Sequence, residues 1–251
     1  LRSVHTDSLA RILDQLGASL MVTTYQAGKV IVVRVDEGTV NTHFKQYPVP
    51  MGLAVSPRRI AIATRHQVWE LGNYPEAGRR LEPVGRHDAC YLPRVGHETG
   101  DLRTHEMAWI NDELWLVNTR FSCLCTLDPD ASFIPKWRPP FITRYIDEDR
   151  CHLNGVEAVD GRPAFVTALG ETDTREGWRE HKATGGCLID VRSSEVVARN
   201  LSMPHSPRVY DGRLWLLESG HGSLATFNAD QAAVRTVVNL PGFTRGLDFC
   251  G

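Results

Sequence analysis

A repeat of roughly fifty residues constrains this chain more than any other feature. A polar or small pair followed by alternating apolar residues recurs five times. The instances are Met51-Gly52-Leu53-Ala54-Val55, His105-Glu106-Met107-Ala108-Trp109, Asn154-Gly155-Val156-Glu157-Ala158, His205-Ser206-Pro207-Arg208-Val209 and Arg245-Gly246-Leu247-Asp248-Phe249. They stand about 40 to 54 residues apart, the length of a four-stranded propeller blade.

The segments between them repeat as well. A second strand is predicted at Arg59–Thr64, Glu113–Asn118, Pro163–Ala168 and Arg213–Glu218. Three of these follow a tight-turn pair, Asn111-Asp112, Asp160-Gly161 or Asp211-Gly212, whose residue types accept the positive φ of a hairpin turn. Third strands follow at Gln67–Leu71, Ser122–Asp128, Gly186–Val191 and Ser223–Asn228, and fourth strands at Glu195–Ala198 and Val234–Val238. Near the start, Ser19–Tyr25 and Val30–Val35 flank a turn, with a further strand at Val40–Phe44. Leu9, Ile12, Leu13 and Leu16 have helical spacing, with Asp7 or Ser8 at the N-cap and Gly17 just past the end, so one short helix is expected at the propeller's edge.

A sandwich or jelly roll also uses short, regularly spaced strands, but only a propeller explains the superperiod. The expectation is an all-β, single-domain β-propeller over residues 1–251 with a short N-terminal helix. Because Cys250-Gly251 closes the chain just after an axial strand begins, the reading is six blades in the complete protein with the last one truncated here. Residues 86–104 and 169–185 read as irregular insertions, the second as a folded lid because Gly and Trp stand among its charges.

Composition narrows the partners. A net charge of −2 gives no basic field for a polyanion, so nucleic acid is not expected. No apolar run approaches the roughly 18–20 residues that cross a bilayer, and no membrane association is expected. The six cysteines are too scattered for a disulfide scaffold and read as reduced thiols of a cytoplasmic protein.

The first strand of each blade lines a propeller's channel, so Met51, His105, Asn154, His205 and Arg245 form one expected ring, with Glu106 standing among small residues in the next layer. Imidazole and carboxylate are common ligands of divalent cations. His105, Glu106, Asn154 and His205 are therefore the expected metal set, and Glu106, His105, His205 and Arg245 the candidate catalytic residues. The bland alternative is that channel histidines only satisfy backbone and water. Candidate ligand-binding residues are His87 and Asp88 in the first insertion, Glu171 and Asp173 in the second, His152 at the channel mouth, Arg208 for an anionic group, and Arg120 in the turn joining two strands of its blade, where it pairs with an anionic ligand or with a neighbouring acid. The expected ligand is a small polar molecule, turned over by a metal-dependent enzyme or bound by a noncatalytic propeller that recognises a small ligand or a protein.

From about Ser19 onward the chain resembles a bacterial family of conserved hypothetical proteins with a domain of unknown function. The resemblance rests on Cys90-Tyr91-Leu92-Pro93-Arg94, Val117-Asn118-Thr119-Arg120-Phe121-Ser122-Cys123, Trp137-Arg138-Pro139-Pro140-Phe141, Asp149-Arg150-Cys151-His152-Leu153-Asn154-Gly155, Thr167-Ala168-Leu169-Gly170-Glu171-Thr172-Asp173, Ser202-Met203-Pro204-His205-Ser206-Pro207-Arg208 and Leu240-Pro241-Gly242-Phe243-Thr244-Arg245. It implies a propeller that continues past residue 251, and it brings no activity. More distantly the arrangement is similar to six-bladed propellers of the gluconolactonase and senescence-marker type, which hold a divalent metal with Glu, Asn and Asp. Glu106 and Asn154 match those ligand types, and the two histidines depart from them.

Overall fold

The computed structural model describes residues 4–250. Helix α1 (Ser8–Leu16) precedes five antiparallel sheets set side by side. The first has three strands, β1 (Leu20–Thr24), β2 (Lys29–Asp36) and β3 (Thr39–Gln46). The second joins β4 (Leu53–Val55), β5 (Arg59–Ala63), β6 (Gln67–Asn73) and β7 (Tyr91–Glu98), with a single-turn helix α2 (Pro75–Gly78) between the last two. The third comprises β8 (Thr104–Ile110), β9 (Glu113–Asn118), β10 (Cys123–Thr126) and β11 (Ile134–Trp137), and the fourth β12 (Leu153–Val159), β13 (Arg162–Ala168), β14 (Gly186–Asp190) and β15 (Glu195–Leu201). The fifth is β16 (Pro204–Tyr210), β17 (Arg213–Glu218), β18 (Ser223–Asn228) and β19 (Ala233–Asn239). Every sheet runs in chain order from axis to rim, and β4 packs on β8, β8 on β12 and β12 on β16. This is a β-propeller with five blades among the described residues.

Blades hold together through apolar layers between neighbouring sheets. Val30 and Tyr47 of the first blade meet Ile60 and Ile62 of the second. Ala61, Ala63 and Val68 meet Leu114, Leu116, Cys123 and Cys125 of the third. Val117 and Leu124, on the opposite face of that sheet, meet Leu153, Val156, Val166 and Ile189 of the fourth. Leu188, Ala198 and Leu201 then meet Leu214 and Leu216 of the fifth. Alternate residues of one strand thus serve two interfaces, because side chains switch faces at each step. Each fully buried Leu or Ile contributes about 1.5–3 kcal/mol. The buried thiols belong to these layers, and burial pushes the Cys151 thiol up to about 12.

The hairpin pairs behave as their residue types predict. Asn111-Asp112, Asp160-Gly161 and Asp211-Gly212 all have φ between 49° and 68°, the handedness of a type I′ turn. Helix α1 sits against β2 and β3 and buries only Leu13 of its apolar stripe, leaving Ile12 and Leu16 exposed. Asp7 holds the N-cap position without a side-chain capping bond.

Two expectations are corrected, and one strand is found that the sequence reading did not name. The first insertion is not irregular throughout: Tyr91–Glu98 is β7, which pairs with β6 as the outermost strand of its blade, and His87 and Asp88 precede it. Its Pro and Gly content masked the strand signal. A fourth strand at 134–137 was also hidden, because the short segment Ile134-Pro135-Lys136-Trp137 has no alternation. Finally, Arg245–Phe249 makes no strand pair; Phe249 stacks on Tyr210 instead, with centroids 4.3 Å apart. No helix among the described residues is long and apolar enough to cross a membrane.

Candidate functional site on the propeller axis

The ring predicted from the repeat is assembled. Met51, His105, Asn154, His205 and Arg245 line one cavity of about 730 Å³, bounded by β1 on one side and by 245–248 on another. The local backbone explains how. Two residues before each of the first four ring members lies a residue with left-handed backbone: Val49, Arg103, His152 and Met203, with φ of 47–50°. This bend turns the incoming chain down into the channel. Just inside, the ladder of each of the last three axial strands is broken by a bulge, between Thr104 and Met107, Leu153 and Gly155, and His205 and Arg208. Bulges re-aim side chains, and these free the ring residues from sheet packing. The layer below is crowded: a Cβ on Gly155 would stand 2.5 Å from Pro207 Cδ and 2.6 Å from Thr167 Oγ1.

The two histidines share one hydrogen-bond design. His105 Nδ1 lies 2.8 Å from the Arg103 carbonyl and 2.8 Å from Thr119 Oγ1. Thr119 donates its own proton to the Leu153 carbonyl at 2.6 Å. A carbonyl can only accept, so His105 Nδ1 carries the proton and Nε2 is left as a lone pair. His205 repeats this on the Met203 carbonyl and Ser219 Oγ, both at 2.8 Å, and Ser219 donates to the Thr244 carbonyl. Both imidazoles are neutral. Burial holds His105 well below the usual range, helped by His152 and Arg245. Burial, followed by Arg245, brings His205 down to about 3.

The other ring members differ. Asn154 is 2 % exposed and accepts from Thr167 at 2.7 Å, while its Nδ2 has no hydrogen-bond partner. Arg245 lines the cavity on an exposed segment, and no ion pair among the described residues engages it. Among the described residues no three His, Cys, Asp or Glu side chains converge to hold a metal ion. The reason lies in Glu106: one carboxylate oxygen takes Arg208 Nη2 and the other the Val156 N–H at 3.1 Å. Burial pushes its pKa up, and Arg208 opposes that shift. Arg208 also donates to the carbonyls of Val156 and Pro207, and it is thereby a strap across three blades.

The remaining candidates scatter. His87 contacts the Glu82 carbonyl at the rim, and Asp88 is exposed. Arg120 pairs with Asp147 on the top face. Glu171 pairs with Arg199 beside an 840 Å³ groove on the outer wall, lined by Phe165, Val197 and Phe227. Asp173 accepts from buried Arg150 at 2.7 Å, which pins the second insertion onto the blade; that segment is folded and includes a short 3₁₀ helix at Gly177–His181. His152 does reach the channel mouth, with its ring 4.7 Å from His105. Sequence reasoning missed Thr119, Ser219, Asp149 and Trp178. A hydroxyl 14 residues after each ring histidine was the available signal for the first two.

These features define a β-propeller with a polar cavity on its axis. Residues 7–251 match the family described as domain of unknown function (DUF4915), and the chain belongs to that family. No curated protein matches the sequence. Among solved structures it is similar to virginiamycin B lyase from Staphylococcus aureus, at 10% identity and a TM-score of 0.51 over 90% of this chain and 67% of that one. The chain thus spans about two thirds of that enzyme's length. A Thermus thermophilus protein described as a putative oxidoreductase (glucose dehydrogenase) matches at 12% identity and TM-score 0.55, over 91% and 84% of the two chains. PQQ-bound aldose sugar dehydrogenase from Streptomyces coelicolor matches at 13% and 0.50, over 92% and 77%. At such identities the likeness is one of fold. The distant resemblance noted above therefore holds for propeller architecture and not for the gluconolactonase type in particular.

Proposed function

We propose that the axial cavity is the active site of an enzyme that binds a small polar anion and withdraws a proton from it. One observation carries this reading: a half-buried imidazole, His105, and a buried one, His205, have their Nδ1–H tied to the protein, leaving two Nε2 lone pairs in a cavity shared with Arg245, which has no ion pair among the described residues. A buried neutral imidazole with its tautomer fixed is suited to act as a base. Arg245 would hold a carboxylate or phosphate, bidentately where geometry allows. The unpartnered Nδ2 of Asn154 adds a donor, since a buried donor is costly to leave unmet. His105 and His205 would accept the ligand's X–H groups. The expected divalent metal has less support, because Glu106 is engaged by Arg208 and only the two imidazoles keep free donor atoms. The same reading takes the complete ring as six blades, supported by the exposed apolar residues Val237 and Val238 on β19 and Leu20 and Val22 on β1.

Acetate, lactate, glycerol and inorganic phosphate serve as probes. Thermal midpoint reads binding, and deuterium wash-in from D₂O at the probe's C–H reads proton abstraction. The expected result is stabilisation by an anionic probe that Arg245→Ala removes, and exchange that His105→Gln or His205→Gln abolishes while binding persists. Binding without exchange by any probe would favour the noncatalytic ligand-binding alternative. No anion-dependent stabilisation in the wild type would defeat both.

A further inference from the structure

The rim of the channel above His105 carries a third imidazole, His152, that the axial cavity does not include. The turn Asp149–His152 has left-handed backbone at both ends, with φ of 47° and 50°, conformations that cost energy and persist where surrounding structure enforces them. Asp149 is 3 % exposed, and its carboxylate oxygens lie 2.9 and 3.1 Å from His152 Nδ1. Arg103, which precedes His105 at the matching repeat position, reaches the same carboxylate at 3.4 Å.

The ring of His152 is clamped on both sides. His105 stands edge-on at 4.7 Å and 77°, and Trp178 lies against it at 4.2 Å and 38°. Trp178 is itself fixed, because its loop is anchored by Arg150 between Glu148 and Asp173, by Thr172 on the Arg150 carbonyl and by the Glu176 N–H on the Glu148 carbonyl at 3.0 Å. A carboxylate that accepts from Nδ1 sets the tautomer with Nε2 as the working nitrogen.

We propose that Asp149 and His152 form a second acid–base unit of the axial site, with His152 as the proton-transferring group and Asp149 as its positioning residue. This rests on the reading that the cavity below holds a reacting ligand. His105 Nε2 takes the proton of a ligand C–H or O–H, and that bond's electron pair moves into the ligand. That proton passes to the Nε2 of neutral His152, whose ring stands 4.7 Å from His105, and the imidazolium so formed, with Nδ1–H still on Asp149, gives it to the ligand oxygen that receives charge. One proton leaves the ligand and one enters; no electron acceptor is needed. The ligand class is a small anion that pairs one acidic hydrogen with one basic oxygen.

The test reads His152 directly. Long-range ¹H–¹⁵N spectra of the labelled chain should show the Nδ1–H tautomer at His152. Acylation by diethyl pyrocarbonate, followed by peptide mass spectrometry with exposed His181 and His221 as internal references, should slow at His152 by about tenfold in Asp149→Asn, since an orienting carboxylate raises imidazole basicity. Asp149→Glu, which keeps the carboxylate, should restore part of the rate and serves as the second variant should Asp149→Asn fail to fold. An Nε2–H tautomer at wild-type His152, or equal acylation rates with and without the carboxylate, overturns the proposal; a purely structural Asp149 would leave those rates unchanged. Failure of the cavity reading is visible separately, as Nε2–H tautomers at His105 and His205 or as absence of anion-dependent stabilisation.

Discussion

Removing Arg208 should destabilise the propeller strongly, and more so as pH rises. Among the described residues Arg208 on β16 is the only cation in contact with Glu106 on β8, and the two enclose the Val156 peptide of β12 from both sides. In Arg208→Ala the Glu106 carboxylate, 8 % exposed, keeps one N–H donor and loses its counter-charge. Breaking a buried pair from one side costs about 3–5 kcal/mol. At about 2–4 °C per kcal/mol for a domain of this size, the thermal midpoint should fall by roughly 6–20 °C. Burial already pushes Glu106 upward against Arg208, so the variant's folded pKa rises further above its unfolded value. The folded state then binds the extra proton, and stability falls as pH rises through that window. The deficit relative to wild type should therefore be smaller near about pH 5 than near about pH 8. Urea unfolding at several pH values measures this. Replacing both partners, as in Glu106→Leu with Arg208→Met, should recover most of the loss, because it leaves no unpaired buried charge. A loss in Arg208→Ala below about 1 kcal/mol, independent of pH, would mean that the pair behaves as a solvated surface bridge and that the strap does not exist.

Three further outcomes follow from the same geometry. His205 has a folded pKa of about 3 against 6.5 for the free side chain, so it contributes stability that is present above the unfolded value and lost as pH falls toward the folded one; His205→Gln should flatten the acid limb of urea midpoint against pH, and an unchanged slope would refute the neutral assignment. Gly155→Ala should cost about 1–3 kcal/mol through overpacking, because its Cβ would meet Pro207 at 2.5 Å and Thr167 at 2.6 Å; an unchanged chemical-denaturation midpoint would count against the crowded second layer. Arg150→Met leaves Glu148 and Asp173 without their buried partner and should cost about 2–4 kcal/mol, with faster hydrogen exchange across residues 172–182; unchanged protection there would show that the Trp178 loop is anchored by other contacts.

Much of the architecture was legible because propeller strands are written twice over. Residues such as Leu116 and Val117 each serve a different inter-blade layer, so the strands appear as continuous apolar runs, and the turns between them need residues that accept positive φ. Asp160-Gly161 and Asp211-Gly212 declare themselves by chemistry. The outer strands carry no such mark. Most of β7 is exposed to solvent, and the strand includes Pro93 and Gly96, so neither burial nor alternation constrains its composition, and it passes for a loop. The opposite error at Arg245–Phe249 has a related cause. The pattern of an axial strand is present, yet a strand also needs a partner edge, and sequence pattern alone does not supply one.

The candidate site divides along the same line. Which residues share the axis follows from register, and a fixed repeat makes register readable: His105, Asn154 and His205 meet because equivalent positions in successive blades must. What each side chain does there depends on partners that the repeat does not specify. Glu106 looked like a ligand because it is a carboxylate among small residues, but Arg208, 102 positions later, claims it. The histidines looked uncertain for the opposite reason, since a lone channel imidazole is compatible with many roles. The distinguishing mark was internal to the repeat. Fourteen positions after the ring residue stands a hydroxyl where that residue is histidine, Thr119 and Ser219, and none where it is Asn154 or Met51, which are followed by Ala168 and Arg65. A hydroxyl that already donates to a backbone carbonyl, Leu153 for Thr119 and Thr244 for Ser219, can only accept from Nδ1. The covariation within one chain therefore encodes a tautomer, and the tautomer leaves an Nε2 lone pair on the axis.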